Sequence, residues 1–146
     1  MAGVNKKRVA LGVVVGGVVW GIWSMLVNAL ILGSHYAAAQ DSGQLLRAPR
    51  YPLFLLYWFV GLFLFTYILT WIYLSLRQTL GPGPKTALRV GFLVGFAIAF
   101  PMNLSMASWA PFDRVFPLWW MLDLWIGAIL ATFVSAWLYK DQLDAS

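Results

Sequence analysis

The stretch "PLWWMLDLWIGAIL", residues 117–130, is almost wholly apolar and yet carries a carboxylate, Asp123. An acid at the centre of a membrane helix costs roughly 2.5–3.5 kcal/mol on insertion scales. It escapes part of that cost by taking up a proton or by accepting hydrogen bonds. Donors stand at matching depth elsewhere in the chain. Asp123 lies six residues after Pro117, Asn103 six before Trp109, Asn28 five before Gly33 and Tyr57 five after Pro52. Six residues of helix rise about 9 Å. Asp123, Asn103, Asn28 and Tyr57 are therefore the candidate ligand- or proton-binding site, a polar layer in the outer half of a bundle. The alternative role for the same acid is an interhelical clamp that sets bundle register.

Other chemistry is sparse. His35 is the only histidine and stands at the edge of an apolar run. It is a weak candidate to ligate a haem or chlorophyll metal, or a zinc ion, and reads more simply as an interface residue. Cysteine is absent, which excludes disulfides, thiol nucleophiles and thiolate metal sites. The chain contains no His-Glu-x-x-His pattern, no glycine-rich phosphate loop and no recognisable Ser–His nucleophile arrangement. The expectation is a non-catalytic protein. Thr66, Thr70 and Tyr73 share a helix face, where hydroxyls commonly bond their own backbone.

The elements that must position these groups follow from composition. The 146 residues are 62% hydrophobic and 10% charged, and the mean hydropathy is +0.78. A soluble domain carries about 25% charged residues, so the solvent of this chain is the bilayer. Four apolar runs, at about 9–33, 52–76, 88–109 and 117–139, each approach the ~20 residues that cross ~30 Å of hydrocarbon. They are continuous rather than alternating, and four strands cannot close a barrel, so they are helices. The predicted fold is an all-α integral membrane protein over 1–146, a single antiparallel bundle of four spans. The first span exceeds the 7–15 apolar residues of a signal-peptide core and is expected to be retained.

Lys6, Lys7, Arg8, Arg77, Lys85, Arg89 and Lys140 fall on one side, and Arg47, Arg50 and Arg114 on the other. The positive-inside rule then puts both termini in the cytoplasm and the chain in the plasma or inner membrane. The net charge of +5 is thereby read as orientation and not as a nucleic-acid surface. Tyr51, Trp109, Phe112, Trp119 and Trp120 on the outside, with Trp71, Tyr73, Trp137 and Tyr139 on the inside, are expected as interface anchors. The first outer loop, "GSHYAAAQDSGQLLRAPR", is the longest and fits an amphipathic surface turn. "GPGPK" is an inner turn that no helix continues through.

Small residues recur at intervals of four. The third span has Gly91, Gly95, Ala99, Asn103 and Ala107, and the fourth has Asp123, Gly127, Ala131 and Ser135. In the first span Gly17, Gly21, Ser24 and Asn28 share a face. Small faces let membrane helices approach closely. If spans three and four pair along these stripes, Asn103 comes near Asp123, and Gly95 near Ala131. Pro101 removes a backbone hydrogen bond and predicts a kink just before Asn103.

Two functions fit. The leading expectation is an accessory or structural subunit that packs against a larger membrane complex, because the chain is small, tightly looped and aromatic-rich. The alternative is a small-solute, ion or proton transporter or channel component that uses the layer around Asp123, working as an oligomer. Bound lipid is expected in either case.

Overall fold

A computed structural model describes residues 4–140 of the chain. The described residues form helices and no strand. α1 (Lys6–Leu26) passes into one π-helical turn (Val27–Ile31), followed by α2 (Gly33–Asp41), α3 (Phe54–Leu80), α4 (Pro84–Trp109) and α5 (Val115–Leu138). Four helical spans, Lys6–Ile31, α3, α4 and α5, are long and apolar enough to cross a membrane. The chain is a multi-pass membrane protein with these helices packed together.

Local chemistry sets the ends. Asn5 Oδ1 accepts the Arg8 backbone N–H at 3.2 Å and caps α1. α3 stops at Gly81, whose φ of +84° suits a residue without Cβ. Pro84 then opens α4, where its missing N–H costs nothing. α4 ends at Trp109 because Ala110, which precedes Pro111, is extended. Asp113 Oδ1 accepts the Val115 N–H at 3.0 Å at the start of α5. The expected first outer loop contains a helix, α2, with Ala39 buried and Tyr36 half-buried. The Asn5 backbone N–H reaches the Tyr139 hydroxyl at 3.3 Å, so α1 begins where α5 ends, on one side of the bundle.

α5 packs most extensively on α4 and α1, and α3 lies against α1, α5 and α4. The small stripes make these contacts, but their partners differ from expectation. The Asp123–Gly127–Ala131–Ser135 stripe of α5 faces α1, not α4. A Cβ on Gly12 would meet the Ser135 Cα at 3.2 Å, and one on Gly16 the Ala131 carbonyl at 2.8 Å. Gly127 sits directly under the indole of Trp20. Ser24 Oγ bonds the Asp123 carboxylate. Each step of four up α1 is thus matched by a step of four down α5, and Ser135 Oγ closes the end of the seam nearest the start of α1 on the Gly12 carbonyl at 2.8 Å. Gly17 and Gly21, expected on the same face as Ser24, turn instead to Phe63 and Phe59 of α3.

α4 uses its own stripe against a different side of α5. A Cβ on Gly91 would lie 2.7 Å from the Ile129 Cα, and one on Gly95 would lie 2.9 Å from the Ala128 Cβ and 3.1 Å from Trp125 Cδ1. Gly95 therefore meets Ala128 and Trp125 rather than Ala131. Ala99 on the same stripe is fully buried. Trp125 Nε1 donates to the Phe92 carbonyl at 3.0 Å, and its ring is edge-on to Phe92 and Phe100.

Because Gly127 is in contact with Trp20, Gly127→Val is expected to destabilise the bundle by about 1–3 kcal/mol, the usual range for overpacking a core. Gly61→Val, with nothing within 4 Å of its Cβ position, should leave stability unchanged. Thermal unfolding of both variants in detergent checks this.

Candidate functional site

Asp123 faces α1 from the N-terminal half of α5, eight residues after Val115, with 1% of its surface exposed. Its Oδ2 accepts Ser24 Oγ–H at 2.8 Å and Asn28 Nδ2–H at 3.2 Å. Ser24 Oγ in turn accepts the Trp58 indole N–H of α3 at 3.2 Å. Trp23 Nε1 donates to the Asp123 backbone carbonyl at 3.2 Å. Asp123 Oδ1 is buried and has no hydrogen-bond partner among the described residues.

The π turn presents Asn28. In that turn the Leu32 N–H bonds the Val27 carbonyl at 3.1 Å, five residues back. Such widened turns alter which carbonyls have donors and concentrate at functional sites. The Asn28 amide uses both of its N–H groups, one on Asp123 and one on the Ser24 carbonyl at 2.9 Å. Its Oδ1 accepts the Tyr36 hydroxyl at 2.7 Å, and that hydroxyl accepts Trp120 Nε1–H at 2.8 Å. A continuous hydrogen-bonded chain thus links Trp120, Tyr36, Asn28 and Asp123. Burial pushes the Tyr36 phenol above its ordinary value; the Trp120 hydrogen bond works against this and the Asp123 charge adds to it. The phenol therefore stays protonated and able to donate at neutral pH.

Over this network lies an aromatic cap. Phe116 is buried against Tyr36 and Trp120, with ring centroids at 5.1 and 5.8 Å, and Phe112 meets it edge-on at 6.0 Å. Trp120 is thus more than an interface anchor. His35 is exposed and edge-on to Phe116 at 6.3 Å. Among the described residues no three His, Cys, Asp or Glu side chains gather as a metal site.

Of the four expected layer residues, the structure brings together Asp123 and Asn28. Tyr57 is 61% exposed on the outer face of α3. Its neighbour Trp58 reaches the site instead, because one residue turns a helix by about 100°. Asn103 is 6% exposed but donates to the Ala99 carbonyl of its own helix at 2.7 Å. The register set by Gly91 and Gly95 puts Asn103 across from the first turns of α5, further out than Asp123. α4 continues as helix past Pro101, and the Asn103 amide goes to Ala99 rather than to the Ala97 carbonyl that the proline leaves without a backbone donor. Ser24, Trp58, Trp23, Tyr36 and Trp120 are the participants that depth counting missed. Ser24 was visible as part of the α1 stripe, four residues before Asn28.

The Ser24–Asp123 contact predicts energetic coupling. In a double-mutant cycle, Ser24→Ala and Asp123→Asn should deviate from additivity by about 0.5–3 kcal/mol. Tyr57→Phe with Asp123→Asn should add to within about 0.5 kcal/mol. Chemical unfolding in mixed micelles measures both.

No protein-family model matches this chain, and neither a curated protein nor a solved structure matches it.

Proposed function

We propose that this protein is a transporter or channel component for protons, in which Asp123 takes up and releases the translocated proton. The observation that carries this reading is the unequal treatment of the two carboxylate oxygens. Oδ2 is held by Ser24 and Asn28, whereas Oδ1 is buried with no partner among the described residues. A clamp serving only to fix register gains from satisfying both oxygens, since a buried acceptor without a donor costs about 1–3 kcal/mol, and more when charged. This asymmetry favours the transport reading over that of an accessory subunit.

The donor set supports a proton over a metal cation. Ser24, Asn28, Trp58 and Trp23 all present hydrogens around the acid, and the Asn28 carbonyl oxygen is turned away toward Tyr36. Hard cations need several oxygen lone pairs directed at one point. One free oxygen suits one proton, which forms an O–H bond at Oδ1 and neutralises the acid. The Asn28–Tyr36–Trp120 chain leads toward the outer end. Inward, the next turn of the α1–α5 seam holds the Trp20 indole nitrogen, also buried with no partner among the described residues. Intramembrane carboxylates in such settings commonly serve as proton relays.

Proteoliposomes loaded with a pH-sensitive dye test the proposal. An imposed membrane potential should drive proton entry through the wild-type protein. Asp123→Ala should reduce the flux at least tenfold, and Tyr57→Phe should leave it intact. Flux that survives Asp123→Ala unchanged overturns the assignment.

A further inference from the structure

Away from Asp123, on the opposite side of α5, an open apolar groove runs along the α4–α5 seam. It is lined by Leu88, Arg89, Phe92, Leu93 and Ile129. It lies beside the tight contact of Gly91 with Ile129, in the half of the bundle that holds the Gly81–Gly83 turn. Four of its five lining side chains are hydrocarbon or aromatic. The fifth, Arg89, is exposed, and Lys85, one turn earlier on the same face, is exposed too.

Among the described residues, neither cation has an anionic partner. The acidic residues of the chain are Asp41, Asp113, Asp123, Asp141 and Asp144. Asp41 pairs with Arg47 at 3.7 Å, Asp113 caps α5, and Asp123 is buried in the α1–α5 seam. Among the described residues, no acid lies at the end of the bundle where Lys85 and Arg89 stand. Charge asymmetry puts that end at the cytoplasmic headgroup level, where the leaflet is anionic.

We infer that this groove is a binding site for an anionic phospholipid, with the headgroup phosphate on Arg89 and Lys85 and one acyl chain along Leu88, Phe92, Leu93 and Ile129. Arg presents a planar fork suited to phosphate oxygens, and Lys adds a point charge beside it. The apolar walls hold a chain that a free anion lacks. The site is independent of the proton-transfer reading, because none of its residues touches the Asp123 network.

The full-length protein, equilibrated in bilayers of phosphatidylcholine and phosphatidylglycerol in equal parts, is released into gentle detergent for native mass spectrometry. Wild type should retain phosphatidylglycerol in preference to phosphatidylcholine. Lys85→Gln with Arg89→Gln should lower that preference, by about fivefold for each cation removed. Arg47→Gln with Arg50→Gln, on the other side of the bundle, should leave it unchanged. Leu93→Trp, which fills the groove and keeps both charges, should also lower retention. All five positions are exposed, so the fold is not at stake. Equal retention of the two lipids by wild type overturns the inference. So does retention that is insensitive to Leu93→Trp, or displacement of the lipid by inorganic phosphate alone, which would reduce the site to headgroup adsorption.

Discussion

The seating of α1 on α5 governs the rest of the molecule. In a bilayer, lipid tails are as apolar as leucine, so burial of hydrocarbon does not pull helices together. Close van der Waals contact and interhelical hydrogen bonds must do so. Gly12 and Gly16 on α1, with Gly127 and Ala131 on α5, remove the side chains that would hold the backbones apart. The bulky Trp20 ring fits only because the residue facing it is Gly127. With the two helices this close, Ser24 and Asp123 come within hydrogen-bond distance one turn further out. The acid is buried because the backbones are near, and the same nearness supplies the donor that makes its burial tolerable.

Around that seam the indoles play a double part. Trp58, Trp23 and Trp120 fill space as aromatic rings, and each also directs an N–H into the network or its frame. Indole carries a donor and no acceptor. The surroundings of Asp123 are therefore rich in hydrogens and poor in lone pairs, which is the chemical basis for reading the site as proton-specific. Two hydroxyls both accept and donate: Ser24 takes the Trp58 N–H and donates to Asp123, and Tyr36 takes the Trp120 N–H and donates to Asn28. Tyr36 joins the aromatic cap, through Asn28, to the carboxylate.

Much of this was legible in the residues. Hydropathy placed the four spans to within a few residues of α1 with its π turn, α3, α4 and α5. The four-residue spacing of Gly91, Gly95 and Ala99, and of Asp123, Gly127, Ala131 and Ser135, marked real contact faces. Which face meets which helix was not legible, because a small stripe carries no label for its partner. Depth counting failed for Asn103 since it assumed that Trp109 and Pro117 mark one plane; the register of α4 on α5 shows otherwise. It failed for Tyr57 because depth ignores rotation, and the site lies on the side of α3 that Trp58 occupies. The contribution of Tyr36 was hidden by the π turn, which no propensity rule located.

That turn has a consequence for how the end of the first span tolerates change. A π-helical turn accommodates one residue more than an α-helical turn does, so it shifts the angular phase of everything after it by about 100°. Tyr36 meets Asn28 only with that offset in place. Ala29 and Leu30, inside the turn, are exposed to the surroundings, so their identities are nearly free. The match between the turn and the number of residues from Ser24 to Tyr36 is not: at this length, reversion of the turn to ordinary α-helix would swing the phenol by about 100° away from Asn28, whereas loss of the one extra residue together with the π turn would leave the phenol in place.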